Sequence, residues 1–361
     1  GVSGAGGPGG TGGTGGTGGT GGTGGTGGAS GTGGASGTGG TDGSPDHSTF
    51  TEILGWATFE SGTTGGGNAT PELVDSLGAL NDAAGGSDAR VIYVSGKFSG
   101  SLKVGSNKTI IGLPGTEIKS GGNTLSMGGS KNVIIRNIAF IGDPDGGADM
   151  ANINGGSHIW LDHLELVDGG DGMLDIVGGS NYITISWCKM RYTGKTGHQN
   201  AMLLSSSNGA GDHGKNKITF HHNWWAENVA ERMPRVRFGE VHIFNNLYVA
   251  TPNFTYYAIR CGYDANVLSE RNIYKDFTGT APLPYKGGKE GAVLVFNYFD
   301  GSDKSVLETR EDVFVNCTDR AEDADGVEGG TFSKGTAFTP PYDYTMGSTD
   351  TLEAAVMAGA G

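Results

Sequence analysis

The sequence has few of the residues that would support a disulfide scaffold, a zinc site or a membrane span. Its three cysteines, Cys188, Cys261 and Cys317, are an odd number without metal-ligand spacing, so neither a disulfide framework nor a zinc site is predicted. Cys188 lies in an apolar strand pattern, where we expect a buried free thiol. No apolar run is long enough to cross a bilayer. Lys and Arg number 24 against 38 Asp and Glu, and this acidic balance argues against nucleic acid as a partner.

The first 46 residues are almost entirely Gly, Thr, Ser and Ala, with repeated GGT triplets. Such a segment has too few apolar side chains to offset the entropy lost on ordering, so residues 1–46 are predicted to be a flexible linker. Residues 47–361 have the length of a single large domain. Because the chain begins with Gly and shows no signal peptide, we expect it to be a processed form.

Short β-rich runs recur along the rest of the chain and predict its fold class. Most intervals between equivalent apolar residues are 23 to 26 residues long, and these residues are Val133, Ile159, Ile183, Ile218, Val241, Val267 and Val293. Repeated strands without intervening helices predict a parallel β-solenoid, whereas a sandwich of hairpins, the alternative fold, would have shorter turn spacing. Five asparagines at similar repeat positions are expected to stack from rung to rung: Asn137, Asn223, Asn246, Asn272 and Asn297.

Two segments depart from the repeat. A Thr-Pro-Glu start predicts one short helix from Thr70 to Ala84, with Thr70 as its N-cap. The interval between Ile183 and Ile218 is longer than the others. Its extra residues, about 191 to 215, are therefore expected to protrude from the rungs as a loop, which is where binding groups usually lie.

Three carboxylates are predicted to share one face. Asp171 and Asp175 are four residues apart, which places them on the same face of a strand, and Asp149 comes from the preceding rung. Such carboxylates repel one another unless a cation lies between them, and oxygen ligands without well-spaced Cys or His favour Ca²⁺. Asp-Gly pairs also form ordinary turns, so the residues alone leave both interpretations open.

Three arginines lie around Pro234 in a protein whose formal net charge is −14. In a strand, Arg235 and Arg237 would share one face, and a bend at Pro234 would bring Arg232 toward them. Guanidinium groups match carboxylates in shape and charge, so an acidic ligand is predicted. Ordinary surface ion pairs are the alternative interpretation.

Four blocks of sequence carry a resemblance to a known family. They are ADMANINGGSHIWLDH (Ala148 to His163), GGDGMLDIVGGSNYITISW (Gly169 to Trp187), ITFHHN followed by ERMPRVRFGEVHIFNN, and YAIRCGYDANVLSERNIY (Tyr257 to Tyr274). In this order they resemble the family 1 polysaccharide lyases, the pectate lyase group, from about residue 55 onward. The resemblance implies a right-handed parallel β-helix, in agreement with the repeats.

The resemblance also implies roles for individual residues. Asp149, Asp171 and Asp175 would hold Ca²⁺, which would bridge to galacturonate carboxylates of the substrate. In the motif R-x-P-x-x-R, Arg232 would remove the proton at C5, and Arg237 would bind a substrate carboxylate. The implied reaction is a β-elimination that cleaves polygalacturonate and leaves a 4,5-unsaturated end.

The implied base raises a chemical difficulty, because a free guanidinium has a pKa above about 12. Either the pKa of Arg232 is depressed locally, or the enzyme works at alkaline pH, and we expect the latter. His163, His221 and His222 could in principle serve as bases or ligands, but we predict structural roles for all three.

One position departs from the family pattern. Many pectate lyases have a substrate-binding lysine where this chain has Asn200, and Lys195, five residues earlier, is a second candidate for that contact. Asn200 can still bind a sugar or a methyl ester, so a calcium-independent pectin lyase acting on methylated pectin is one alternative. A non-catalytic solenoid that binds polysaccharide or acts as an adhesin is the other. From the linker and the family we expect a secreted monomer, tethered through residues 1–46, that acts on plant cell-wall pectin.

Overall fold

The computed structural model describes residues 52–194, 198–207, 210–278, 292–296, 304–317, 321–322 and 335–361. Residues 292–296 and 321–322 are described only as backbone strands. The predicted linker, residues 1–46, lies outside the described residues, and so does Lys195. Within the described residues, no helix has the length and apolar character needed to cross a membrane.

The described residues contain two α-helices, α1 (Leu77–Ala84) and α2 (Thr349–Gly359), and 26 β-strands. Two short 3-10 helices, Gly55–Thr58 and Ala210–Asp212, complete the regular structure. The strands in chain order are β1 Pro71–Val74, β2 Arg90–Val94, β3 Lys97–Ser99, β4 Leu102–Lys103, β5 Lys108–Gly112, β6 Glu117–Lys119, β7 Leu125–Gly128, β8 Lys131–Arg136, β9 Ala139–Ile141, β10 Ala151–Asn154, β11 Ser157–Asp162, β12 Glu165–Val167, β13 Gly172–Val177, β14 Asn181–Ser186, β15 Lys189–Arg191, β16 Asn200–Leu204, β17 Ile218–His221, β18 Trp224–Trp225, β19 Arg235–Phe244, β20 Leu247–Val249, β21 Tyr257–Glu270, β22 Ile273–Lys275, β23 Ala292–Phe296, β24 Val306–Arg310, β25 Val313–Val315 and β26 Ala321–Glu322.

The strands stack in parallel on three faces around one apolar core. Face A contains β1, β2, β5, β8, β11, β14, β17 and β24, and face B contains β4, β7, β10, β13, β16, β23 and β26. Face C contains β3, β6, β9, β12, β15, β18, β20, β22 and β25. The long strands β19 and β21 begin on face B and end on face A. Each turn thus contributes one strand to each face, which is the predicted parallel β-helix.

The repeat landmarks stack in register on face A from Val133 to Val267. Val293 is the exception, because its strand β23 pairs with the face-B part of β21. The face-A column continues through Leu307 instead, which pairs with Val267. Spacing alone did not distinguish the faces, since each turn contributes apolar strands to more than one of them.

The predicted helix is present, but it begins later in the sequence than predicted. Pro71–Val74 is strand β1, which pairs in parallel with β2, and α1 begins only at Leu77. Ser76 caps it, because its Oγ accepts a hydrogen bond from the amide of Ala79 at 3.3 Å. Pairing with β2 satisfies the backbone of residues 71–74 and outweighs the helix-start signal of Thr70.

The protruding loop predicted at residues 191–215 is also corrected in part. Strand β16 (Asn200–Leu204) lies inside that range and is a regular member of face B, paired with β13. The extra length therefore falls on both sides of this strand. The segment after β15 leads into the face that carries the candidate site.

The predicted stacking of asparagines from rung to rung is confirmed at three positions. Asn223 donates through Nδ2 to Asn246 at 3.0 Å, Asn246 donates to Asn272 at 2.9 Å, and Asn272 donates to Asp312 at 3.0 Å. Asn137 is exposed at its turn, and Asn297 lies outside the described residues. Buried amides that bond along the axis satisfy polar groups that each turn would otherwise leave unpaired.

Replacing Asp312 with Asn should stabilise the protein above about pH 7. Burial raises the pKa of Asp312 to about 7, so the folded state binds its proton more tightly than the unfolded state does. The stabilisation from that proton is complete below about pH 4 and is lost as pH rises through about 7. Because the residue is only partly buried, we expect a gain of about 1–2 kcal/mol in the Asn variant at pH 8, and little change at pH 4.

Urea unfolding of both proteins between pH 4 and pH 9 measures this effect. The control is Asp276→Asn, which removes a carboxylate bonded to Asn316 on the exposed surface and should leave the pH dependence unaltered. Parallel curves for the wild type and the Asp312→Asn variant across that range would contradict the prediction.

In the described structure Cys188, Cys261 and Cys317 form no disulfide. Cys188 and Cys261 are fully buried and Cys317 is partly buried. The prediction of a buried free thiol at Cys188 is confirmed.

Candidate active site

The outward side of face B brings together residues that are distant in sequence. Asp175 in β13 pairs with Leu203 in β16, which pairs with Arg235 in β19, and Arg235 pairs with Arg260 in β21. Parallel register therefore places a carboxylate and two guanidinium groups in one column on successive turns. Acidic residues lie at one end of this column and basic residues at the other.

The predicted acidic cluster, Asp149, Asp171 and Asp175, converges near Gly172. A Cβ added to Gly172 would lie 2.9 Å from Oδ1 of Asp149 and 3.7 Å from Oδ1 of Asp175. The absence of a side chain at this position is what lets the two carboxylates approach. Oδ1 of Asp149 is buried without a hydrogen-bond partner, which is costly for a carboxylate oxygen.

The electrostatics of this cluster are unfavourable without a counter-charge. Burial raises the pKa of Asp149, and the charge of Asp171 raises it further. Burial also raises the pKa of Asp175 to about 7, with Asp149 as the second cause and Arg232 opposing the shift. Ionisation of Asp149 and Asp175 at the same time is therefore unfavourable.

The donor set fits a hard cation such as Ca²⁺. The oxygens are carboxylate only, and the orphaned oxygen of Asp149 faces the same space as Asp175. Asp171 is 48% exposed in its side chain and lies 3.6 Å from Nδ1 of His198. In the part of the chain that the structure describes, no three Asp, Glu, His or Cys side chains already form a metal-binding group. The calcium ligands therefore stay a prediction, and Asp171 is the one whose side chain has freedom to adjust.

Arg232 is held between two turns by its backbone. Its carbonyl accepts a hydrogen bond from the amide of Met202 at 2.7 Å, and the following amide of Met233 donates to Ala258 at 2.7 Å. Its φ of 64° lies in the left-handed region, as it does at other non-glycine positions of the chain such as Asn107, His163 and Arg271. Its side chain is 17% exposed, and Nε lies 3.5 Å from Oε1 of Glu231.

The surroundings of Arg232 do not depress its pKa. Burial acts to lower the pKa of this guanidinium, but Tyr257, Glu231, Asp171 and Asp175 together raise it above its ordinary value. The protein groups around Arg232 therefore do not provide the locally depressed pKa that would let it act as a base near neutral pH. Activity at alkaline pH is the remaining expectation.

Sequence reasoning missed the cluster beside Arg232, which is formed by the buried residues Glu231, Tyr257 and Arg260 and the partly exposed Arg235. Glu231 is 4% exposed, and its Oε2 has no hydrogen-bond partner. Burial raises the pKa of Glu231, against the lowering effect of the three arginines. The guanidinium of Arg260 lies 5.8 Å from the ring centroid of Tyr257. The stacking of Arg235 on Arg260 could have been found from the sequence only by aligning successive turns.

The arginines of the motif share a face as predicted. Arg235 and Arg237 are partly exposed, whereas Val236 between them is buried. Nη1 of Arg237 donates to the carbonyl of Ser205 at 2.5 Å. Burial lowers the pKa of Arg235. The predicted contact of Arg237 with a substrate carboxylate stays a prediction.

Asn200 is brought to the site, but its amide already has a partner there. It is 5% exposed, and its Nδ2 donates to the carbonyl of Asp171 at 2.6 Å. Its predicted contact with substrate therefore stays a prediction, and that of Lys195 falls outside the described residues.

The three histidines make the contacts expected of structural residues. His163, Trp187 and His222 stack on successive turns, with centroid distances of 5.8 and 4.5 Å. His221 is buried and stacks on Phe244 at 5.1 Å. These contacts involve neither the acidic cluster nor the motif arginines.

Comparisons with known proteins agree with this geometry. A family model described as pectate lyase matches residues 17–305. The chain is 32% identical over 315 residues to pectate lyase E of Dickeya chrysanthemi, covering 72% of this chain and 79% of that protein. It is 30% identical over 320 residues to pectate lyase A of Aspergillus niger, covering 85% and 87%. It is also 38% identical over 207 residues to the pectate trisaccharide-lyase of Thermotoga maritima, and there it spans only 54% of the relative's length and 53% of its own.

Solved structures extend the likeness to the fold. The pectate lyase from Bacillus sp. N165 in complex with trigalacturonate superposes with a TM-score of 0.70 at 25% identity, covering 86% of this chain and 98% of that one. A Bacillus subtilis pectate lyase mutant superposes with a TM-score of 0.65 at 23% identity, covering 85% and 96%. The predicted right-handed parallel β-helix is thereby confirmed. The chain belongs to the pectate lyase family of polysaccharide lyases.

Proposed function

We propose that this protein cleaves polygalacturonate by calcium-dependent β-elimination, giving 4,5-unsaturated oligogalacturonides. The observation that carries the proposal is the position of Arg232, which is mostly buried and electrostatically coupled to Asp171 and Asp175. A mere binding surface for a polyanion would not require a largely buried guanidinium beside carboxylates. The names of the pectate lyases above support the same substrate class.

In the proposed reaction the chain's own residues position the substrate and move one proton. Arg237, Arg235 and Arg260 provide positive charge for uronate carboxylates, in line with guanidinium geometry. Arg232, as the neutral guanidine present at high pH, accepts the C5 proton. The C5–H electron pair forms the C4=C5 double bond, and the C4–O bond breaks with its electrons leaving on oxygen. A proton from solvent completes the new chain end.

Asp149, Asp171 and Asp175 are the residues proposed to hold Ca²⁺. When bound, the ion would neutralise the C6 carboxylate and stabilise the negative charge that develops as C5 loses its proton. Lys195 stays a candidate for a contact with the sugar.

Absorbance near 235 nm on polygalacturonate at alkaline pH tests the proposal, with added Ca²⁺ and with chelator (about the wavelength expected of an unsaturated uronate). We expect absorbance to rise with Ca²⁺ and to stop rising with chelator. A rise on methylated pectin that chelator does not affect would indicate a pectin lyase. The absence of a rise on either polymer would leave a polysaccharide-binding solenoid and would sink the lyase proposal.

We further propose that the protein is secreted and monomeric, with residues 1–46 as a tether. The glycine-rich composition of that segment and the extracellular location of pectin support this proposal. Fractionation of the producing cells and light scattering of the purified chain test it, and a cell-internal or oligomeric protein would contradict it.

A further inference from the structure

Asn200 lies between the two halves of the candidate site. It opens strand β16, where its backbone pairs with Gly172 on the preceding turn and with Glu231 on the following turn. Asp171 precedes Gly172, and Arg232 follows Glu231. Each of the two residues that pair with Asn200 is therefore a sequence neighbour of a predicted site residue, the calcium ligand on one side and the base on the other.

Its side chain is directed to the acidic half. The Nδ2 group of Asn200 donates to the main-chain carbonyl of Asp171 at 2.6 Å. The main-chain carbonyl of Asn200 accepts a hydrogen bond from the hydroxyl of the buried residue Tyr192 at 2.9 Å. With an exposure of 5%, Asn200 has little surface to offer a polymer, whereas its contact with Asp171 is short and shielded from water.

The peptide to which Asn200 bonds belongs to the predicted calcium ligand that lies outside a regular strand. Asp175 lies within a regular strand, but Asp171 lies just before β13 and its side chain is about half exposed. The amide of Asp171 donates to the carbonyl of Ala148 at 3.2 Å, but the residue lies outside a strand, where a carboxylate loses more conformational entropy on binding a cation than one within a strand does. A hydrogen bond that fixes the peptide in advance reduces this cost.

We infer that Asn200 is a positioning residue for the calcium site rather than a substrate ligand. This inference rests on the proposed function and deepens it. The amide of Asn200 fixes the peptide of Asp171, so that the Asp171 carboxylate faces Asp149 and Asp175. Partners that orient metal ligands are typically worth 10- to 100-fold in metal affinity.

Two substitutions remove the amide donor in different ways. Asn200→Leu keeps the branching of the side chain at Cγ without a donor, whereas Asn200→Ala leaves a small cavity, so one variant can report if the other fails to fold. Calorimetric titration with CaCl₂ in the absence of substrate should show an affinity about 10- to 100-fold weaker in both variants. At saturating Ca²⁺, KM and kcat on polygalacturonate should return close to the wild-type values.

The matched control is Asn181→Ala. Asn181 is also a buried asparagine at the start of a strand, and its Oδ1 accepts a hydrogen bond from the amide of Lys217 at 3.0 Å on the next turn, on face A. Its loss should lower the thermal midpoint without altering calcium affinity, which separates a general loss of stability from a specific effect on the site.

Three outcomes would overturn the inference. Unchanged calcium affinity with a raised KM at saturating Ca²⁺ would make Asn200 a substrate ligand. Unchanged calcium affinity and KM with a lower thermal midpoint would give it a structural role only. A wild-type protein that binds no Ca²⁺ would remove the basis of the inference. The absorbance assay on the wild type reports independently whether the proposed function itself fails.

Discussion

Replacing Arg232 with Ala should reduce the rate of elimination by about 10²- to 10⁴-fold, the range typical for loss of a general base. The guanidinium is the basic group that the structure places beside the acidic cluster with a largely buried side chain. Folding and calcium binding should be retained, because the backbone of residue 232 makes its hydrogen bonds through its own carbonyl and the following amide. The initial rate at 235 nm, the thermal midpoint and a calcium titration measure the three quantities.

Arg271→Ala is the matched control for this experiment. Arg271 also has a left-handed backbone, with φ of 50°, but its side chain pairs with Glu311 on the exposed surface. Its loss should leave the rate unchanged, because surface ion pairs contribute about 0–1 kcal/mol. Wild-type rates in the Arg232→Ala variant would falsify the assignment of Arg232 as the base. The Ala variant at position 232 still has a Cβ and so keeps the left-handed strain. If the Ala variant gains a little stability, release of this strain explains the gain only if a Gly variant gains more.

Replacing Asp175 with Asn should have opposite effects on calcium affinity and on the stability of the cation-free protein. The carboxylate of Asp175 is partly buried near that of Asp149, and both burial and that neighbour disfavour its charge. An amide of the same size removes this repulsion. We therefore expect the free energy of unfolding in EDTA at pH 8 to rise by about 1–3 kcal/mol, while calcium affinity falls at least about tenfold.

Urea unfolding in EDTA and calorimetric titration with CaCl₂ measure the two effects of this substitution. Glu165→Gln is the control, because Glu165 is a partly exposed carboxylate at the start of strand β12 and is already paired with Arg191 at 2.6 Å. Removing a paired charge should not stabilise the protein. If Asp175→Asn left calcium affinity unchanged, Asp175 would not be a ligand. If it also lowered stability in EDTA, the account of the repulsion would be wrong.

The sequence predicted the site partly through strand alternation and partly through the resemblance to the pectate lyase family. Strand alternation placed Arg235 and Arg237 on one face, because side chains alternate along a strand. The four-residue spacing also predicted Asp171 and Asp175 on one face of a strand, but Asp171 lies just before strand β13. The same reasoning did not reveal Glu231 or Arg260 as neighbours of Arg232. Their proximity depends on which residues pair between turns, and the irregular residues at each corner shift that pairing by an amount that spacing does not give.

Local signals also competed with tertiary pairing. Thr70 and Pro71 form a good helix start, but residues 71–74 pair with β2 instead. Val293 continues the period of the repeat, but its strand belongs to face B. In both cases the local pattern is compatible with two structures, and the pairing of backbone groups with the neighbouring turn selects one of them.

The sequence by itself determined that the chain forms a parallel β-helix with an acidic cluster and an arginine motif. The apolar repeat, the asparagine positions and the charge-bearing motifs are local patterns whose consequences follow from strand geometry. Only the tertiary structure decided that Glu231 is buried among arginines and that the amide of Asn200 is bonded to Asp171. These contacts join different turns of the helix, so they depend on the register of the stacked turns.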